Sequence, residues 1–259
     1  MSLIWSKSRH IDYNSCKRRY FYKYIAAARN PILAELRDQP SPALVRHGII
    51  RSAITAVLSY EDEIDRDVAE HEQVEEGYQK LLELFEDYEA NHEITIITEC
   101  VDNFKARLLP SIDINEIIYL NREDPEQFDC EDLSIFLSID AIIRWDSEIY
   151  VPSWRTGKSR FYSEADSKLK ALAAKLFAQE ILGLSTIEVT YSDVYLRERC
   201  ESKELVVTQK EEAELLSSIR EQARAYSSSD DISDFPANPV RQICRFCNFR
   251  KYCPQSIAN

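Results

Sequence analysis

Three cysteines crowd the closing segment CRFCNFRKYC, as Cys244, Cys247 and Cys253, and a fourth, Cys16, stands alone in NSCKRRYFYKYI near the start. Thiolates two residues apart can turn back onto one metal centre, and a third soon after completes a face. The fourth ligand would then come from the other end of the chain. This feature constrains the fold most, because it would tie the two ends together across most of the sequence. Four ordinary buried cysteines are the alternative, but thiols set among aromatic and basic residues make a poor core. Such ligands suit an iron–sulfur cluster or a zinc ion, and the spacing leaves both open.

Cys100, Cys130 and Cys200 are scattered, and seven cysteines in all, an odd number, do not suggest a disulfide framework. With no signal-like segment and no apolar run of membrane-spanning length, the chain is expected in the reducing cytoplasm, away from membranes. A length of 259 residues allows one large domain or two, and only four glycines point to a helix-rich protein.

The net charge of -13 argues against nucleic acid at first sight, but its distribution changes that reading. Residues 61–93 hold fourteen Asp or Glu against two bases, Arg66 and Lys80, so nearly all the excess sits there. That segment reads as a solvated helix face that could receive a protein partner. Bases cluster elsewhere: Lys17, Arg18, Arg19 and Lys23; Arg155, Lys158 and Arg160; Arg241, Arg245, Arg250 and Lys251. Arg18, Arg19, Lys158, Arg160, Arg245 and Arg250 are the candidate phosphate contacts.

The periodicity predicts helices over 9–28, 43–59, 64–91 and 95–108, with Ser8 as a cap for the first and a Pro-rich break through Pro31, Pro40 and Pro42. The period then changes. EIIYL at 116–120, LSIFLSIDAIIRW at 133–145, EIYVPSW at 148–154 and STIEVTYSDVYLRER at 185–199 read as strands, and 164–182 and 210–226 as helices. A polar linker, 227–231, leads to the cysteine segment. The fold class is therefore mixed α/β (α+β). A helical region over 1–110 carries the first cysteine and the acidic segment, a sheet core follows over 111–226, and a closing segment over 227–259 returns to residue 16.

Metal-dependent nucleases hold a divalent ion with carboxylates from adjacent strands and use a lysine beside it. Asp140 ends an alternating apolar strand and suits one such role, and the next strand ends in PSWRTGK. WSKSRHIDYNSCKRRYFYKYI, IDAIIRWDSEIYVPSWRTGK, KALAAKLFAQEIL and FPANPVRQICRFCNFRKYCP, in this order, resemble the iron–sulfur branch of the PD-(D/E)xK nuclease superfamily, which includes RecB-like and AddB-like nuclease domains and CRISPR-associated RecB-like exonucleases. The resemblance implies a restriction-endonuclease-like mixed sheet with flanking helices. It also implies a cluster, of 4Fe-4S type, held by Cys16, Cys244, Cys247 and Cys253, and nucleic acid as the partner.

Against the family's DYKTGK segment, SWRTGK puts Ser153 at the second metal acid and Arg155 at the catalytic lysine. Arginine keeps the charge but cannot shed its proton as lysine can. HGIIRS keeps Gly48 and places Ser52 where the family has a histidine, and Ala173 replaces a glutamine ahead of Phe177. Of the five chemically active positions only Asp140 is kept, so the resemblance implies a scaffold with its chemistry lost and a doubtful site for magnesium or manganese. Glu116, Asp146, Glu148 and Lys158 are the residues that could have moved in, although Glu148 lies roughly 17 Å along an extended strand from Ser153. Three functions follow. The first is a non-catalytic DNA-binding protein or accessory subunit of a nucleic-acid processing or defence complex. The second is an active metal-dependent exonuclease with relocated acids, and the third a structural interaction subunit.

Overall fold

A computed structural model describes residues 3–121, 125–145, 148–184 and 188–257, apart from the side chains at 87–89 and 161. The chain forms two compact units, one of Met1–Gln39, Gln127–Phe136 and Ala213–Asn259, the other of Pro40–Glu126 and Leu137–Glu212.

The first unit contains a three-stranded sheet of order β1-β4-β3, formed by β1 (Leu3–Ser6), β3 (Glu126–Cys130) and β4 (Leu133–Leu137). β1 runs parallel to β4 with Trp5 beside Ile135. Trp5 is fully buried, and its indole N–H is satisfied by Gln222 Oε1 at 3.0 Å, as burial of that polar edge requires. Ser6, rather than Ser8, caps α1 (Lys7–Ser15) by accepting from the Arg9 N–H. The helix predicted over 9–28 breaks at Cys16, whose backbone is extended (φ -162°, ψ 105°). It resumes as α2 (Lys17–Tyr20) and a π-turn over Phe21–Ala26, and the short α3 (Pro31–Asp38) follows.

Tyr13 and Tyr20 from this region pack on Tyr226, the last residue of α8 (Gln209–Tyr226), with centroids 5.0 and 5.3 Å away. Phe235 stacks on Tyr20 at 6.1 Å. Each such pair contributes about 0.5–1.5 kcal/mol beyond simple burial. Buried Asp12 receives Arg19 at 2.6 Å, Lys23 at 2.9 Å and the Tyr24 hydroxyl at 3.0 Å, so no lone carboxylate is stranded in this aromatic setting.

The second unit holds a five-stranded mixed sheet of order β2-β5-β6-β7-β8. Its strands are β2 (Ile117–Leu120), β5 (Ala141–Trp145), β6 (Glu148–Arg155), β7 (Val189–Tyr195) and β8 (Glu201–Val206). β6 and β7 are parallel and joined by α7 (Glu164–Glu180), while the other pairs are antiparallel. Helices α4 (Pro42–Ser59), α5 (Glu63–Leu84) and α6 (Asp87–Arg107) supply the apolar layer. Ile50, Ile54 and Val57 from α4 and Ile97, Val101 and Phe104 from α6 share a core with Ala141, Ile143, Trp154 and Val194. Phe104 meets Trp154 edge-on at 5.3 Å. Trp154 and Val194 face this core, so period-two alternation turns Ser153, Arg155 and Asp193 to the opposite face of the sheet.

Three further expectations are corrected. The strand predicted over 133–145 divides into β4 and β5, which join different sheets, because the chain leaves one sheet after Leu137 and enters the other at Ala141. The helix predicted over 64–91 stops at Phe85, where the backbone turns extended (φ -137°, ψ 164°), and α6 begins at Asp87. The strand predicted from 185 runs over 189–195, with residues 185–187 outside the described residues.

Gly77 of α5 packs against Ile49 of α4. A Cβ there would lie 2.5–2.8 Å from three side-chain atoms of buried Ile49. Overpacking of this kind costs about 1–3 kcal/mol, against about 1 kcal/mol that alanine gains over glycine in a helix. Gly77→Ala is expected to lower the melting temperature, and to cost nothing further when Ile49→Ala is already present. Thermal denaturation of the two single variants and the double variant checks this.

Candidate functional site

Two constellations carry the chemically capable residues, one in each unit. In the second unit the sheet register does the gathering. β6 and β7 place Ser153 beside Asp193 and Arg155 beside Tyr195, and α7 covers the same face with Ser167 and Lys170. Asp193 is 1% exposed. Its Oδ1 accepts from Arg155 Nε at 2.5 Å and from the Tyr191 hydroxyl at 2.7 Å, and its Oδ2 accepts from the Ser167 hydroxyl at 2.5 Å. Lys170 Nζ donates to Ser153 Oγ at 2.7 Å and lies 5.7 Å from the centre of the Tyr191 ring.

Asp140 precedes β5 and is 5% exposed. Its Oδ2 accepts the backbone N–H of Trp154 at 2.9 Å, which ties it to the strand carrying Ser153 and Arg155. Its Oδ1 pairs with Arg51 Nε at 2.5 Å, and Arg51 also reaches the Ile139 carbonyl at 3.4 Å. The second carboxylate is thus Asp193, one strand over from the serine that stands at the family's acid position.

The centre contains two carboxylates and three cations, Arg51, Arg155 and Lys170. A hard divalent ion needs several anionic or carbonyl oxygens with lone pairs to spare. Here each acid already holds a guanidinium, which supplies the positive charge that burial of a carboxylate demands. Burial works against the Arg155 charge, but Tyr191 and Asp193 more than offset it and raise its pKa above the ordinary value. Burial likewise pushes the Tyr191 hydroxyl up, so it serves as a donor.

The structure brings Asp140, Ser153 and Arg155 together as the motif predicts, but not Ser52, which is exposed and lines a polar cavity between α4 and α5 with Gly48 and Gln73. One residue earlier on α4, Arg51 faces Asp140 instead, and His47, a turn before it, lies within the influence of Asp140. Ala173 and Phe177 are buried in α7. Of the acids that could have moved in, Glu116 pairs with Arg144 at 3.9 Å on the half-exposed β2–β5 margin. Glu148 is exposed and accepts from Thr190 at 3.5 Å, and Asp146 lies outside the described residues. Lys158 and Arg160 are exposed after β6.

In the first unit, Cys16, Cys244, Cys247 and Cys253 line one small pocket with Arg18, Arg19, Tyr22 and Arg250. The Asn238 N–H donates to Cys16 Sγ at 3.4 Å. Burial raises the Cys247 thiol, against the pull of the Phe249 N–H and Arg19 and with the help of Cys16 and Cys253. Two polar atoms buried in the pocket-lining residues, Arg19 Nε and Ser256 Oγ, have no hydrogen-bond partner. Among the described residues no three His, Cys, Asp or Glu side chains are gathered tightly enough for a single metal ion.

Two predicted phosphate contacts are committed elsewhere. Arg18 Nε donates to the Phe235 carbonyl at 2.8 Å, and Arg19 pairs with buried Asp12 at 2.6 Å, so both act as internal struts. Arg245 and Arg250 are exposed.

A mixed sheet with a strand–helix–strand crossover, and with acid, serine and arginine at the ends of adjacent strands, defines a nuclease-like α/β fold. The sequence matches the profile of the PD-(D/E)XK nuclease superfamily over residues 4–254, and the chain belongs to that superfamily. A solved structure described as a candidate exonuclease, from Eubacterium rectale, is similar with a TM-score of 0.54 at 10% identity, over 96% of this chain and 88% of that one. No curated protein matches the chain.

Burial lowers His47 to about 4 from an ordinary value of 6.5; Asp140 opposes this shift, and Arg51, Lys170 and Arg155 reinforce it. The unfolded chain therefore binds a proton here at a higher pH than the folded one. This contribution to stability is complete above about 6.5 and is lost as pH falls toward 4. His47→Gln should flatten the fall in melting temperature between pH 6.5 and pH 4, and unchanged steepness would place the acid sensitivity in other groups.

Proposed function

We propose that this chain is a non-catalytic member of the superfamily that binds DNA, in its own right or as an accessory subunit of a nucleic-acid processing or defence complex. The observation that carries the reading is the pairing of both central carboxylates with arginines, Asp140 with Arg51 and Asp193 with Arg155. The positive charge that a divalent ion would bring is already supplied by side chains. Lys170 stands on the serine that replaces an acid, so the third oxygen ligand is missing as well. The exposed bases, Lys158, Arg160, Arg245 and Arg250, would contact phosphates, and such contacts need no metal.

One observation favours a second reading, an active metal-dependent exonuclease. Asp193 is an acid in register with Ser153, so an acid does stand near the family's second position. Calorimetry with manganese separates the two. The non-catalytic reading expects no binding and no cleavage of single- or double-stranded DNA, whereas binding lost in Asp193→Asn would establish the second. A third possibility, docking of a protein partner on the acidic segment 61–93, would show as complex formation abolished by salt without any DNA affinity.

The reading includes a structural iron–sulfur cluster held by Cys16, Cys244, Cys247 and Cys253. Four thiols lining one pocket could hold either a cluster or a zinc ion, and the family resemblance favours the cluster. Buried Arg19 Nε is a donor suited to a cluster sulfur. Such a cluster would supply cross-linking, and the nuclease chemistry does not pass through it.

Two outcomes check these proposals. Arg51→Gln with Arg155→Gln should free both carboxylates and create measurable manganese affinity; breaking each buried pair costs about 3–5 kcal/mol, so binding is measured on samples shown to be folded. Cys16→Ala should abolish visible absorption and iron content and lower the melting temperature of the protein. An unchanged melting temperature with iron retained would mean that Cys16 is not a ligand.

A further inference from the structure

We infer that the closing cysteine segment carries a base-stacking platform for single-stranded DNA, built on Phe246 and Tyr252. This inference deepens the DNA-binding reading and rests on it. In a chain of net charge -13, residues 235–259 contain no Asp or Glu and four bases, Arg241, Arg245, Arg250 and Lys251. All four are exposed, and among the described residues none of them pairs with a carboxylate. A local field of one sign, with no internal counter-charge, suits a polyanion.

The same short segment sorts its aromatics in two ways. Phe249 is buried, 5.8 Å from the Tyr22 ring, so the segment can bury an aromatic where a neighbour is available. Phe246 is 77% exposed and Tyr252 46% exposed. Neither position is loose. Tyr252 is held at both ends of its backbone, its N–H bonded to the Phe249 carbonyl at 2.9 Å and its carbonyl accepting the Tyr22 hydroxyl at 3.0 Å. Phe246 follows the short helix α9 (Arg241–Arg245), and the Arg245 guanidinium lies 5.5 Å from its ring centre.

Exposed rings beside guanidinium groups that no carboxylate neutralises are the elements with which proteins hold single strands: bases stack on the rings while cations follow the phosphates. In a duplex the base faces are already stacked on one another and are not presented to such rings. The platform thus selects single strands, whereas the bases alone would bind either form. An apolar protein partner would account for the rings but not for the absence of acids.

Fluorescence anisotropy with a labelled oligo-dT and a duplex of equal length, over a series of salt concentrations, tests this on the full chain. Wild type should bind oligo-dT more tightly than duplex. Phe246→Ala with Tyr252→Ala should weaken oligo-dT binding roughly five- to a hundred-fold for each ring removed, with the salt slope unchanged. Arg250→Ala with Lys251→Ala should instead reduce the salt slope. Phe246→Trp supplies an independent signal, quenching on addition of oligo-dT. DNA binding by wild type that is indifferent to loss of both rings, or an unquenched Phe246→Trp that binds, overturns the platform and leaves the DNA-binding reading standing. Absence of binding to either DNA by wild type overturns both.

Discussion

A carboxylate buried in a protein must be given positive charge, and where that charge comes from determines what the site can do. In a metal-dependent nuclease an ion supplies part of it. In this chain the charge is covalently attached. Arg51 comes from the helical layer to Asp140, and Arg155 reaches from β6 to Asp193. Tyr191 and Ser167 complete the hydrogen bonding of Asp193. Both oxygens of Asp193 are hydrogen-bonded, so this group specifies the packing of β6, β7 and α7 on one another. The Arg155–Asp193 pair also ties β6 to β7 in register.

The first unit follows a comparable logic with different elements. Its two terminal segments are joined by hydrogen bonds and aromatic packing between protein groups. Arg18 reaches the Phe235 carbonyl, Asn238 donates to both Cys16 and Ser15, and Tyr22 reaches Tyr252. These contacts span more than two hundred residues, so closing them carries a loop entropy that grows only slowly with length. The break at Cys16 belongs to this arrangement. An unbroken helix would carry its sulfur on the helix surface, whereas the extended backbone there lets the sulfur accept from Asn238 and face the pocket.

The parts legible from sequence are those that local pattern encodes. The apolar alternation around Asp140, the strand ending in Ser153 and Arg155, and helices α4, α7 and α8 all follow from periodicity and caps within a few residues. The four cysteines were legible from spacing, and they line one pocket. What escaped was non-local. Asp193 sits in TYSDVY, where it reads as one more polar residue on an alternating strand; only its register opposite Ser153 makes it part of the centre. Lys170 reads as solvated because lysine usually is. Its place on the apolar stripe with Ala173, Ala174 and Phe177 was the available signal, since a charge there must find a partner. Arg51 was hidden behind the Gly48–Ser52 alignment, which directs attention one residue too far along the helix. The strands β1, β3 and β8 were missed because two are short and the third, ESKELV, is a mostly exposed edge without apolar alternation.

Arginine at position 155 is more informative than its charge suggests. A lysine there could share its proton and approach water as a point charge, whereas a guanidinium is planar, stays protonated and binds several oxygens at once. Arg155 uses that shape fully, with Nε on Asp193 and a terminal nitrogen 3.1 Å from the Tyr191 hydroxyl. Lys170 contributes the ammonium instead, from a helix and onto a hydroxyl. Both cation types are therefore present, but Arg155 is engaged in joining β6 to β7 and Lys170 in holding α7 to the sheet. On the proposed non-catalytic reading, this engagement is what keeps either cation from activating water.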